Sequence, residues 1–212
     1  MMAELLPLQS ASDSALAKLV TQARAGDTEA FNTLFQSYTG RICTYLARMV
    51  GNDEEGRDLA QETFLKAWQG LPGMRNSESF MAWLYRIATN IAIDYTRKQR
   101  VKRPSQQYGD WDSGQGEPPA SEANRRVQGL EEHVAETEQI RQTLTHVAPK
   151  YRACLLLQIE AGFSQREIAE LLHISEKSVS VYVQRGCEQF RQEYQYLDQR
   201  LRSREPQEGT DK

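Results

Sequence analysis

Residues 162–191, GFSQREIAELLHISEKSVSVYVQRGCEQFR, constrain the fold more strongly than any other part of the chain. Their apolar residues predict a short helix over 165–172, then a turn, then a second helix from Glu176 onward. Ile174 can fill the space inside the turn, and Ser175 can cap the second helix. Two helices joined in this way are typical of the helix-turn-helix, which places its second helix in the major groove of DNA.

The second helix of this pair has one apolar face. Val179, Val183, Gly186 and Phe190 recur at helical spacing, so we expect them to face inward. The residues between them would face outward, where glutamine can pair with adenine, lysine or arginine with guanine or phosphate, and valine with a thymine methyl. His173 lies in the turn where glycine is common, so we expect either backbone strain or avoidance of the left-handed conformation. A three-helix packing without DNA contact is the alternative. The candidates for DNA contact are Lys177, Ser178, Ser180, Val181, Gln184 and Arg185.

Helical periodicity runs through most of the remaining chain, and no alternating strand pattern competes with it. Only the segment from Pro104 to Arg126 differs, because it is rich in proline and glycine and poor in aliphatic residues. Such a segment cannot bury enough apolar surface to offset the entropy lost on ordering. The expected fold is therefore all-α, with two small helical domains joined by a flexible linker. The predicted helices cover residues 14–25, from 27 or 28 to about 50, 54–69, about 79–100, 131–147, 150–161, 165–172 and 176 onward.

The domain boundaries that follow are 14–100 for the first domain, 101–128 for the linker and 129–202 for the second domain. Residues 203–212 are expected to be a disordered tail. The last helix is predicted to reach about Arg202, because Phe190, Tyr194, Leu197 and Leu201 continue its apolar spacing. A frayed, solvated helix end is the alternative.

Two helices of the first domain carry unusual stripes. The third predicted helix has a polar stripe beside a separate apolar one, although a polar stripe alone is usually just a solvated face. The fourth mixes basic, polar and aromatic side chains, a combination that suits single-stranded DNA, although many of its aromatic residues must belong to the core. A basic run without acids follows it, between Tyr95 and Gly109. The polar stripe consists of Asp58, Gln61, Glu62 and Leu65, and the mixed face of the fourth helix includes Tyr85, Arg86, Thr89, Asn90, Arg97 and Lys98.

Composition excludes several other classes of protein. Cys43, Cys154 and Cys187 are scattered without a CxxC pair, so neither a zinc site nor a disulfide framework is expected. No apolar run is long enough to span a membrane, and the N-terminal residues lack the pattern of a signal peptide, so a cytoplasmic protein is expected. No HExxH, P-loop or nucleophile-elbow motif is present, so we expect neither an enzyme nor a cofactor or metal site. The net charge of −3 is uninformative, because local charge decides contact with nucleic acid.

Four segments in this order resemble the extracytoplasmic-function (ECF) sigma factors of the sigma-70 class. GDTEAFNTLFQSY, DLAQETFLKAW and FMAWLYRIATNIAIDYTRKQR resemble sigma region 2, and VAPKYRACLLLQIEAGFSQREIAELLHIS resembles sigma region 4. The resemblance implies an alternative-type sigma factor that binds core RNA polymerase and directs promoter-specific transcription initiation. Its partners would be the beta-prime clamp helices and the beta flap of the polymerase, promoter DNA and, where one exists, an anti-sigma factor. A stand-alone helix-turn-helix regulator is the alternative, but it would leave the region 2 segments without a role.

The resemblance also implies roles for particular residues. The family's docking motif for the clamp helices maps onto Asp58, Gln61 and Glu62, with Leu65 on the same stripe. Ser180 and Tyr182 depart from the family, which usually has basic residues at these positions, whereas Arg185 keeps the expected charge. The residues implied to contact the minus-ten element are Arg75, Asn76, Ser77, Arg86, Asn90, Arg97, Lys98 and Arg100, and those implied for the minus-thirty-five element are the six candidates on the second helix of the helix-turn-helix.

Overall fold

The computed structural model describes residues 8–74, 80–102 and 130–202, and the side chains of 14–74, 80–99 and 137–199. Over these ranges the structure contains helices and no strand, which confirms the all-α prediction. The loop with Arg75, Asn76 and Ser77, the linker residues after Lys102 and the tail 203–212 lie outside the described residues. The helices are α1 (Leu8–Arg24), α2 (Thr28–Val50), α3 (Asp53–Gly70), α4 (Phe80–Lys102), α5 (Leu130–His146), α6 (Pro149–Ile159), α7 (Gln165–Leu172) and α8 (Glu176–Arg202), with a 3-10 turn at Leu71–Gly73 where a loop was predicted.

Polar caps determine where the helices of the first half begin and end. The Asp27 carboxylate accepts hydrogen bonds from the backbone N–H groups of Glu29 and Ala30, at 2.9 and 3.1 Å. Gly51 ends α2 in the left-handed region with φ 78°, and Asn52 then caps α3. Because these caps satisfy groups that a helix end leaves without partners, the boundaries of α2 and α3 could be predicted to within a residue or two. The predicted start of the first helix at Ser14 is wrong, since α1 begins at Leu8.

The core of the first half includes two residues that the sequence placed on the mixed face of α4. Tyr85 is 2% exposed and Thr89 is fully buried, so these two residues of the mixed face belong to the core. The Thr89 hydroxyl donates to the Tyr85 carbonyl oxygen at 2.7 Å, and the Tyr45 hydroxyl lies 2.7 Å from Thr89 Oγ1. Each hydroxyl thus has a partner, which makes the burial of the polar atoms tolerable.

The two halves pack directly on each other around the C-terminal end of α2. Arg152 of α6 is 3% exposed, and its guanidinium donates to the carbonyl oxygens of Thr145, Val147 and, across the boundary, Met49. Arg141 of α5 likewise donates to the Gly51 carbonyl oxygen at 3.0 Å. Two arginines therefore bind the free carbonyls at a helix C-terminus, where the helix dipole also favours positive charge.

An ion pair and a close backbone approach complete this contact, which we call the joint. Arg48 Nη1 lies 2.9 Å from Glu160 Oε2. A Cβ atom at Gly51 would lie 2.1 Å from Thr145 Cγ2, so the close approach of the halves requires glycine there. The buried residues of the two helical domains form one continuous cluster across this contact.

Candidate polymerase and nucleic-acid interfaces

The polar stripe of α3 lies on the surface. Asp58, Gln61 and Glu62 are exposed, and Leu65 is 57% exposed despite its apolar side chain. Glu62 forms an ion pair with Lys66, with Nζ and Oε1 2.7 Å apart, one helical turn further on. These four side chains therefore share one accessible face of α3.

An apolar groove between α2 and α3 adjoins this stripe, and the sequence did not reveal it. The rings of Phe31 and Trp68 lie 4.8 Å apart, and those of Phe35 and Phe64 lie 4.7 Å apart. Phe35 is 36% exposed, so its ring lies at the edge of the apolar side of α2 and not in the core. Periodicity assigns a residue to the apolar side of a helix but does not separate the centre of that side from its edge. The groove is lined by Thr28, Phe31, Asn32, Phe35, Gln61, Phe64, Leu65 and Trp68.

The middle of α4 borders a second hollow, which contains one of the predicted DNA contacts. Asn90 is exposed and lines this hollow together with Trp83, Asp94 and Lys66 of α3. Arg97 and Lys98 are exposed, and Arg97 donates to Asp94 at 2.9 Å. Arg86, another predicted minus-ten residue, is half-buried. The side chain of Arg100 and the residues Arg75, Asn76 and Ser77 lie outside the described part of the structure.

The helix-turn-helix forms at the predicted residues. Ser164 and Glu167 form a capping box at the start of α7, because each side chain pairs with the other residue's backbone N–H. His173 adopts the left-handed conformation with φ 54°, so it does not avoid this region. A non-glycine residue in this region is uncommon. The turn then ends at Ser175, whose Oγ accepts a hydrogen bond from the Ser178 N–H at 3.1 Å.

The outward face of α8 contains the predicted minus-thirty-five residues in two groups. Lys177, Ser180, Gln184 and Arg185 are exposed, whereas Ser178 and Val181 are half-buried. Inward, Val179 and Gly186 are buried as predicted. The helix continues to Arg202, also as predicted, and its Phe190 and Tyr194 rings stack with centroids 5.9 Å apart.

Two residues of this face have side-chain partners that the sequence did not indicate. The Gln184 amide nitrogen donates to Glu188 Oε1 at 2.9 Å. Arg185 Nη1 donates to the Tyr151 hydroxyl of α6 at 3.0 Å, and this hydrogen bond raises the pKa of Arg185. Tyr182, uncharged where basic residues are usual, packs against Tyr151 with ring centroids 5.1 Å apart.

Within the ranges that the structure describes, no group of histidine, cysteine or acidic side chains could hold a metal ion. Cys154 is buried, and burial raises the pKa of its thiol to about 11. None of the helices over the same ranges is both long and apolar enough to cross a membrane.

Known proteins share both halves of this arrangement. Residues 34–101 match the family Sigma-70 region 2, and residues 137–190 match Sigma-70, region 4. The chain is 32% identical over 185 residues to the ECF RNA polymerase sigma factor SigW of Bacillus subtilis, covering 85% of this chain and 97% of that protein. The chain belongs to the ECF RNA polymerase sigma factors. It is therefore a transcription initiation factor and not an enzyme, and the family also disfavours a stand-alone regulator.

Solved structures share the fold of this sigma factor. One is that of CnrH in complex with the cytosolic domain of CnrY, with a TM-score of 0.61, 23% identity, and coverage of 83% of this chain and 94% of that one. Another is the sigma factor RpoE in complex with the anti-sigma factor NepR from Bartonella quintana. Its TM-score is 0.57, with 16% identity over 78% of this chain and 96% of that one.

Proposed function

We propose that this sigma factor binds core RNA polymerase through α3 and directs it to promoters through α4 and α8, in the cytoplasm. Residues 14–100 would bind polymerase and the minus-ten element, 129–202 would bind the minus-thirty-five element and the beta flap, and 101–128 would link them. The observation that carries the proposal is the exposure of one polar stripe on α3 and of one helix-turn-helix face on α8, in a chain that matches both sigma regions.

The α3 stripe suits docking on a basic helical partner such as the clamp helices. Asp58 and Glu62 supply negative charge, while Leu65 and the neighbouring groove supply exposed apolar surface. Opposite charges orient such a complex, and a few side chains buried near its centre contribute most of the affinity.

The hollow beside Asn90 suits an unstacked base of the minus-ten element. Trp83 offers an aromatic surface, and Asn90, Asp94 and Lys66 offer polar groups at its margin. A base removed from the duplex is held by stacking and by hydrogen bonds to its edge. Arg97 and Lys98, exposed further along α4, would bind the phosphates.

An anti-sigma factor is a further proposed partner. Its support is the fold shared with RpoE, which was solved bound to the anti-sigma factor NepR.

Charge reversal on α3 tests the polymerase-binding proposal. Asp58→Lys with Glu62→Lys should weaken binding to core polymerase by about 30-fold or more, because reversing complementary charges at an interface costs about 2–5 kcal/mol. Binding is measured by titrating the purified variant into fluorescently labelled core polymerase in the absence of DNA.

Glu170→Lys is the matched control for this test. Glu62 and Glu170 are both exposed acids, and each pairs with a basic residue four positions away on its helix. The control should bind core polymerase as the wild type does. Equal affinities for the wild type and the α3 variant would refute the assignment of the polymerase-binding surface.

A further inference from the structure

We propose that Tyr151 and Glu188 are positioning residues for promoter recognition, fixing which atoms Arg185 and Gln184 present to minus-thirty-five DNA. The inference rests on the proposed function of α8, and it adds two residues that lie outside the predicted DNA contacts. Both residues hold their partners through hydrogen bonds of 3.0 Å or less.

The contact with Glu188 fixes the orientation of the Gln184 amide. The Glu188 carboxylate only accepts hydrogen bonds, so the amide nitrogen of Gln184 must face it and the amide oxygen is left for another partner. In the major groove adenine and cytosine present an amino donor, whereas guanine and thymine present only acceptors. Gln184 held in this way favours adenine or cytosine at the position that it contacts.

The contact with Tyr151 restrains Arg185. An exposed arginine loses much side-chain entropy when it is ordered on DNA, and a side chain that is already restrained loses less. Here Arg185 Nη1 bonds to the Tyr151 hydroxyl, and Arg185 Cζ lies 5.9 Å from the centre of the Tyr151 ring. The other N–H groups of the guanidinium can still donate to a phosphate or to guanine.

The packing of α8 on α6 brings Tyr151 within reach. A Cβ atom at Gly186 would lie 3.2 Å from the Tyr151 carbonyl oxygen, so glycine allows the helices to approach closely beside Arg185. The Tyr182 ring also packs against the Tyr151 ring, with centroids 5.1 Å apart. Tyr182 therefore makes an aromatic contact at a position where the resemblance implies a basic residue.

The negative charge of Glu188 distinguishes a positioning role from a purely structural one. A carboxylate on a DNA-facing surface repels the phosphates, so its removal should strengthen binding to every sequence. If Glu188 also orients Gln184, the same substitution should weaken the preference for one base. Glu188→Gln should therefore move affinity and selectivity in opposite directions, which a purely structural role would not do.

A promoter library with a fixed minus-ten element and a randomised minus-thirty-five element tests the proposal, using the full-length chain with core polymerase. Glu188→Gln should increase the overall affinity for promoter DNA about twofold. The preference for adenine or cytosine should fall about threefold, because an amide at residue 188 can pair with either end of the Gln184 amide. Tyr151→Phe should weaken binding about threefold across all sequences, with no further loss in the Arg185→Ala background. Tyr194→Phe, which removes a tyrosine hydroxyl from α8 instead of α6, is the control and should leave both the affinity and the base preference unchanged.

The outcomes separate this inference from the function on which it rests. If Gln184→Ala keeps the base preference and Arg185→Ala keeps the affinity of the wild type, the proposed role of these two residues is wrong. If Gln184→Ala loses the preference but Glu188→Gln keeps it in full, Glu188 does not orient Gln184. If Tyr151→Phe weakens binding equally with and without Arg185, Tyr151 does not act through that arginine.

Discussion

The joint between the two halves and the outward face of α8 both depend on arginine, in opposite settings. Arg152 of the joint is 3% exposed and donates to backbone carbonyls on both sides of the boundary. Arg185 of α8 is exposed, and its partner is a tyrosine hydroxyl at the surface. Water can replace the partner of Arg185 but not those of Arg152, because a buried carbonyl without a donor loses its hydrogen bond outright. Substitutions in the joint should thus change stability, and substitutions on α8 should change binding.

The largest effect is expected at the centre of the joint. Arg152→Ala should lower the free energy of unfolding by about 3 kcal/mol or more, because it leaves several buried carbonyl oxygens without a donor. Urea denaturation of the full chain measures the change. Arg166→Ala is the control: its side chain is 81% exposed with one surface ion pair, so a loss under about 1 kcal/mol is expected. A loss of stability for Arg152→Ala no larger than that for Arg166→Ala would show that the joint contributes little to the free energy of unfolding.

A smaller effect is expected from Gly51→Ala. The new methyl would collide with Thr145, and the residue would keep a positive φ, so we expect a loss of about 2–4 kcal/mol. Gly26→Ala also places alanine at a positive φ, 94°, but the new Cβ atom would have no neighbour within 4 Å. It should therefore lower the free energy of unfolding by only about 1 kcal/mol. Thr145→Ala should partly rescue Gly51→Ala. If Thr145→Ala does not restore stability, the close approach of the two halves is not the cause of the loss in Gly51→Ala.

On the exposed face, Arg185→Ala should leave the urea midpoint within error of the wild type. It should weaken binding to all minus-thirty-five sequences about tenfold. It should also make the slope of log affinity against log salt concentration shallower by about 1, because one phosphate contact is lost. Affinity is measured over a range of salt concentrations by fluorescence anisotropy on a promoter fragment bound by the holoenzyme. A drop in stability as large as that of Arg152→Ala would erase the distinction between the two regions.

The smallest effect concerns Glu160, the acid of the joint. Burial raises the pKa of Glu160 above its ordinary value, although Arg48 beside it lowers the pKa in part. The folded state therefore binds this proton more tightly than the unfolded state does. The contribution of the group to stability falls as the pH rises through the unfolded pKa and then the raised folded pKa. Glu160→Gln should flatten this part of the pH–stability profile and slightly stabilise the protein at neutral pH. An unchanged profile would contradict the burial of the carboxyl group.

The sequence predicted the helices and the helix-turn-helix because caps and apolar periodicity are local signals. Asp27, Asn52, Ser164 and Ser175 each lie at the start of a helix and bond to backbone N–H groups within three residues. Such pairs can be recognised from spacing alone. The surface stripes of α3 and α8 were predictable for the same reason.

The joint was not predictable, because its partners are far apart in the chain. Arg141 and Arg152 bind carbonyl oxygens 90 and 103 residues away, and Arg48 pairs with Glu160 across 112 residues. A backbone carbonyl is present at every residue, so no residue type marks it as an acceptor. The burial of Tyr85 and Thr89 was not predictable for a related reason, since the Tyr45 hydroxyl that satisfies Thr89 comes from another helix.

Run-off transcription with core RNA polymerase tests the central claim most directly. Core polymerase without a sigma factor is incubated with a library of genomic fragments, with or without the full chain, and the transcripts are sequenced. Because the chain belongs to the ECF sigma factors, its addition should yield transcripts with defined start sites, each preceded by shared minus-ten and minus-thirty-five sequences. Binding of the chain to DNA fragments without any transcript that depends on it would contradict the account and would instead indicate a stand-alone regulator.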